Sequence, residues 1–138
     1  MKIKNIDIVN ITNLLGACSN KKLPQRIAYA IMKNMKVLDK DISIYQEMLR
    51  KIFDAYEQYS EKDKNGEIKL NEHGIPIVDK EHNDTFYNEI NDLLSLEVDV
   101  EFYKIQEDAF DYDEGDRYDP LSVQEMINLY KVLCENEE

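Results

Sequence analysis

The chain has 138 residues, a third of them charged, and its 29 Asp/Glu outweigh 17 Lys/Arg to leave a net charge of −12. That length suits one domain with its own core, expected over residues 1–138. No run approaches the ~20 apolar residues of a membrane-spanning helix, and the N-terminal MKIKNIDIVN lacks the apolar stretch of a secretion signal, so a cytoplasmic address is expected. Cys18 and Cys134 are then expected as reduced thiols.

The charge is uneven. Residues 1–60 hold ten Lys/Arg and six Asp/Glu (+4), whereas residues 61–138 hold seven and twenty-three (−16). A segment that negative repels nucleic acid and anionic membranes and attracts basic surfaces.

Residues 5–17 place Ile6, Val9, Ile11, Leu14 and Leu15 at helical spacing, which predicts a short amphipathic helix. CSNKK interrupts it, and Pro24 suits the first turn of a second helix. That helix carries the strongest pattern in the chain. Ile31, Met35, Leu38, Ile42, Tyr45, Leu49, Ile52 and Tyr56 alternate steps of four and three, with no Gly or Pro over 25–60. Such a heptad seam needs a helical partner. Intramolecular packing against a helix at 81–94 is the expectation, with a homodimer through residues 31–56 as the alternative.

EKDKNGEIKLNE (61–72) admits two readings. Glu61, Asp63, Asn65, Gly66 and Glu72, with Ile68, sit near the register of a calcium loop. The exit through His73-Gly74-Ile75-Pro76 cannot continue a helix, and Asn65-Gly66 is a strong turn signal. The preferred reading is a β-hairpin of EIKL (67–70) and IPIV (75–78) joined by NEHG; a calcium-binding module remains a competing function. Residues 81–94, with Phe86, Ile90, Leu93 and Leu94, predict the partner helix. LEVDVEFYKI (96–105) then alternates Leu96, Val98, Val100 and Phe102 with Glu97, Asp99 and Glu101, the pattern of a half-buried strand with one acidic face. No internal repeat is evident.

Residues 106–119, QEDAFDYDEGDRYD, form an acidic loop with interleaved aromatics. Asp119-Pro120, or the capping box Ser122–Glu125, begins a last helix with Val123, Met126, Ile127, Tyr130 and Leu133 expected on its apolar face. The terminal ENEE is expected to fray.

Catalytic motifs are absent: there is no HExxH, GxSxG, Walker loop or CxxC, and His73 and His82 flank the hairpin. No catalytic residue, metal or cofactor is assigned. Lys21, Lys22, Arg26, Lys33 and Lys36 read as the solvated face of the long helix. The acidic residues Glu97, Asp99, Glu101, Asp108, Asp111, Asp113, Glu114, Asp116 and Asp119, with Tyr112 and Tyr118 among them, can imitate a phosphate backbone with its bases. They are assigned as a partner-binding surface, and the partner as a protein with a basic, nucleic-acid-binding groove. The fold class expected is α+β: a long antiparallel helical hairpin, a small antiparallel sheet and a C-terminal helix.

The succession KKLPQRIAYAIMKN, YSEKDKNGEIK, FYNEINDLLSLEVDVEF and DPLSVQEM resembles a family of small proteins of unknown function encoded by phages and prophages of Gram-positive bacteria. In that family a DxNGE-like turn follows the long helix, as here. Its C-terminal Thr-Pro-x-Glu is replaced here by Asp119-Pro120-Leu121-Ser122, after a longer and more acidic loop. The resemblance carries no catalytic residues and implies phage origin, residence in a bacterial host cell and action by occupying a host protein. With the −16 segment and its acid-lined strand and loop, the expected function is a non-enzymatic protein that blocks a host nucleic-acid-handling protein, for instance one of a defence or CRISPR complex. A phage structural or assembly protein that oligomerises through the heptad seam is the alternative.

Overall fold

The computed structural model describes residues 1–112 and 117–134, so Asp113, Glu114 and Asp116 of the acidic set and the terminal ENEE lie outside the described residues. The fold is α+β: the described residues form four α-helices, the last of them C-terminal, and a two-stranded antiparallel sheet. The chain forms two compact units: Met1–Ile42 with Glu97–Glu138, and Ser43–Leu96. None of the described helices is long and apolar enough to cross a membrane.

In the first unit, β1 (Lys2–Lys4) leads into α1 (Asn5–Cys18), which Asp7 starts by accepting the Lys4 N–H at 3.3 Å. Pro24 precedes α2 (Gln25–Ala55) and accepts the N–H groups of Ile27 and Ala28 at its carbonyl. The long helix packs on α1. The core gathers Ile8, Leu15 and Cys18 from α1; Ile27, Ala30, Ile31 and Leu38 from α2; and Leu129 and Leu133 from α4 (Val123–Leu133). Each fully buried aliphatic side chain contributes roughly 1.5–3 kcal/mol. Leu129→Ala, at a site without exposure, would cost about 2–5 kcal/mol.

The acidic strand is shorter than the alternation suggests. Only β2 (Glu97–Asp99) is regular, and it pairs with β1 in the register Lys2↔Asp99, Ile3↔Val98, Lys4↔Glu97. Beyond it the backbone bonds to other groups: Val100 N–H to the Met1 carbonyl, and Ile105 N–H to the Leu133 carbonyl. Between them the buried Asn34 side chain, on α2, receives the Tyr103 N–H at 2.8 Å and donates to the Tyr103 carbonyl at 3.0 Å. One amide thus stands where a neighbouring strand would. Val100 is buried and Val98 and Phe102 are half-buried as the alternation implies, but Leu96 is 57% exposed rather than inward. It caps the preceding helix, outside the paired strand.

α4 starts at Ser122, whose hydroxyl accepts the Glu125 N–H while the Glu125 carboxylate accepts the Ser122 N–H. The helix is rotated from the expected face. Leu129, Val132 and Leu133 face the core, whereas Val123, Met126 and Ile127 are exposed. Seven of its eleven residues are apolar, and at 3.6 residues per turn they form two stripes roughly 120° apart, only one of which the core covers.

In the second unit, Leu49, Ile52 and Phe53 of the later part of α2, with Tyr56 just after its end, lie against Phe86 and Ile90 of α3 (Asn83–Ser95), the pairing that the periodicities imply. The heptad seam faces inward in both units: Ile31, Met35, Leu38 and Ile42 join the first core, and Leu49, Ile52 and Tyr56 the second. The Tyr56 hydroxyl is pushed up to about 12 by its hydrogen bond to Glu89 and by burial.

The segment 59–79 departs from a single hairpin. It turns twice, at Asp63–Glu67 and Asn71–Ile75, and three isolated bridges join its passes: Ser60↔Val78, Lys62↔Ile68 and Leu70↔Pro76. The turns are copies eight residues apart. Asp63 Oδ1 accepts the N–H groups of Asn65 and Glu67, as Asn71 Oδ1 accepts those of His73 and Ile75. Gly66 and Gly74 follow at φ 79° and 76°, a left-handed conformation that costs a side-chain-bearing residue about 1 kcal/mol or more. The ladder keeps the same step, with Lys69 N–H on the Glu61 carbonyl and Ile77 N–H on the Lys69 carbonyl. In residue types the repeat is confined to the Asx residue and the glycine of each turn, Asp63 with Gly66 and Asn71 with Gly74; the other side chains differ.

Candidate functional site

The residues assigned to partner binding belong to the first unit, and the structure separates them by role. Glu97 and Asp99 are exposed but sit directly across the sheet from Lys4 and Lys2, and the terminal amine of Met1 lies 3.8 Å from Asp99. Opposite charges in such cross-strand positions attract, so this part of the acidic face is partly offset by the lysines and the terminal amine opposite it. Asp108 forms an exposed ion pair with Arg26 at 3.0 Å. Asp119 is a structural clamp: its carboxylate accepts the Lys22 N–H at 2.7 Å, and its own N–H bonds the Lys22 carbonyl at 2.8 Å. Tyr112 and Tyr118 meet edge to face at 5.5 Å, Tyr112 packs on the core, and Arg117 lies over the Tyr118 ring at 5.4 Å. Glu101 and Asp111 are exposed, and neither forms an ion pair among the described residues.

The basic side chains are similarly divided. Lys21 donates to Glu125 Oε1 at 3.0 Å and to the Pro120 carbonyl at 2.9 Å. Lys33 lies over the Tyr29 ring at 5.9 Å. The Ser122 N–H and the Lys21 ammonium together hold the Glu125 carboxyl down at about 2, and Glu125 in turn raises Lys21. Cys18 is buried with its Sγ 3.7 Å from Glu125 Oε2, and burial followed by the neighbouring carboxylate pushes its thiol up. A raised thiol beside an anion is a poor nucleophile. Cys134, half-buried and also free, is pushed up by burial.

In the second unit the calcium register of 61–72 leads into the ladder and not into a helix, since α3 begins only at Asn83. Asp63 Oδ1 already accepts two backbone N–H groups. Among the described residues there is no group of three His, Cys, Asp or Glu side chains placed to hold a metal ion. His82 contacts Asp79 Oδ1 through Nδ1 at 2.7 Å and stacks on Tyr59 at 3.6 Å, and this contact lowers the Asp79 carboxyl.

The feature that residue patterns did not reveal is a groove of about 460 Å³ between the 3₁₀ turn Glu107–Phe110 and α4. Phe110, Met126, Ile127 and Tyr130 supply its apolar floor, and Glu107, Asp108 and Asp111 its acidic side. Tyr130 donates to Glu107 Oε2 at 2.8 Å, which ties the turn to the helix. The signal available in the sequence is the excess of apolar residues on α4, more than one buried stripe can use. Compared with protein-family models, with curated proteins and with solved structures, the chain gives no match in any of the three.

Proposed function

We propose that the chain is a non-enzymatic phage protein that binds and blocks a host protein whose own ligand is nucleic acid, using an acidic surface centred on residues 101–116. One observation carries this reading: residues 97–138 hold fourteen Asp/Glu against three Lys/Arg, while Glu101 and Asp111 stand exposed without an ion pair among the described residues. Carboxylates left without cations in the fold favour a cationic partner, through steering and complementarity. The phage origin rests on the resemblance of the chain's motifs to the phage and prophage family. Asp99, Asp108 and Asp119 have intramolecular partners and Glu97 faces Lys4 across the sheet, so the proposal rests on the exposed Glu101 and Asp111, together with Asp113, Glu114 and Asp116 as assigned from the sequence.

The test is affinity capture from a bacterial lysate with the wild-type chain and with a variant carrying Lys at those five positions. The expected result is a retained nucleic-acid-binding protein that elutes as salt rises and is absent from the variant's eluate. Equal retention by both chains would remove the acidic surface from the function.

A further inference from the structure

We infer that the groove between the 3₁₀ turn Glu107–Phe110 and α4 receives one segment of a protein partner: a short amphipathic helix with a row of apolar side chains flanked by Lys or Arg. This deepens the proposed function and rests on it, because it names the part of the basic partner that docks.

The apolar row on this chain is continuous with helical spacing. Val123, Ile127 and Tyr130 follow at i, i+4 and i+7, with Met126 beside them. Val123 is 76% exposed and Ile127 45%. Seven residues of helix span about 10 Å, the span of the i, i+4, i+7 anchors that a helix inserts into a groove. Phe110 forms the opposite side, its ring 6.4 Å from that of Tyr130. A row of this kind on an otherwise highly charged chain marks a contact surface.

Charge selects the occupant. Glu107, Asp108 and Asp111 line the groove, and Lys131 is the one cationic side chain among its lining residues. A second copy would bring the same carboxylates against these, and nucleic acid would bring phosphates; both are repelled. A cationic helix is attracted along the rim while its apolar side chains fill the floor. The pair Arg26–Asp108 is exposed on both sides, so it contributes little, and an arriving Lys or Arg can replace Arg26.

The test uses the whole chain and a labelled Leu/Lys peptide patterned as an amphipathic helix, against a peptide of the same composition in scrambled order. Binding is read by fluorescence anisotropy at near-physiological salt. The patterned peptide is expected to bind about tenfold more tightly than the scrambled one, and the double variant Met126→Ser/Ile127→Ser to lose about that factor. Circular dichroism melting confirms that the variant is folded. Val123→Ser, one helical turn before the lining residues Met126 and Ile127 on the same apolar row, gives a second reading expected to lower affinity severalfold. Equal binding of the two peptides, or undiminished binding by the Ser variants, would reduce the interaction to charge alone and overturn the inference. A wild-type dimer in sedimentation that Ile127→Ser dissociates would overturn it too, assigning the groove to self-association. If the five-Lys variant still loses its captured partner while the groove variants bind normally, the groove alone is refuted; if capture is charge-independent, the proposed function itself falls.

Discussion

Replacing Asn34 by alanine isolates the contact that makes a helix side chain act as a strand. Asn34 has no exposure and holds the Tyr103 N–H and carbonyl at 2.8 and 3.0 Å. Asn34→Ala removes both bonds and leaves both Tyr103 backbone groups without this partner. Each net bond is worth about 1 kcal/mol, and each polar group left buried and unsatisfied costs about 1–3 kcal/mol. The Tyr103 residue is 40% exposed, so its freed groups regain part of their hydration, and the expected loss is about 2–3 kcal/mol. Urea unfolding followed by far-ultraviolet circular dichroism should show a lower midpoint at unchanged slope. Hydrogen exchange at the Tyr103 amide should accelerate alongside it. A variant within about 0.5 kcal/mol of wild type, the ordinary range for surface substitutions, with the Tyr103 amide still protected, would refute the clamp.

Thr12→Val should stabilise the chain by about 1 kcal/mol, read as a rise of a few degrees in Tm, because the Thr12 hydroxyl is buried with no hydrogen-bond partner among the described residues. Glu125 has its carboxyl lowered from an ordinary 4.5 to about 2. Its contribution is therefore complete above pH 4.5 and is lost as pH falls toward 2; the Tm gap between wild type and Glu125→Gln should be full at neutral pH and close across that window. Two glycines should respond oppositely to alanine. Gly16 lies inside α1 with free space around it, so Gly16→Ala should stabilise by about 0.5–1 kcal/mol, whereas Gly66→Ala, at φ +79°, should destabilise by about 1–2 kcal/mol. A loss at Gly16 or a gain at Gly66 in the same melting assay would contradict the backbone assignment.

Sequence periodicity was sufficient for the elements that depend on local chemistry. The heptad seam made α2, Pro24 placed its start, and Ser122 with Glu125 started α4 through a hydrogen-bonded pair three residues apart. The seam also pointed to α3 as a neighbour, because Phe86 and Ile90 repeat the same spacing that Leu49, Ile52 and Tyr56 present. The strand at 97–99 was legible from its alternation, but not its partner. Lys2 and Lys4 are ninety-odd residues away, and only the folded pairing shows that two of the carboxylates most suggestive of a free acidic face have lysines opposite them.

The remaining decisions were tertiary. Apolar residues encircle more than half of α4, so periodicity permits several rotations; α1 and α2 select the one that buries Leu129, Val132 and Leu133 and leaves Met126 and Ile127 to the groove. In 59–79 the repeat is carried by backbone bonds that Asp63 and Asn71 accept equally well, so both turn signals, Asn65-Gly66 and NEHG, close strand-like passes where one hairpin was expected. By itself the sequence determined which segments are helical, where they begin and how much charge the chain carries, since spacing, capping and counting are local properties. Tertiary structure alone decided which carboxylates remain without a cation and which apolar stripe stays uncovered, because both depend on what the fold brings opposite them.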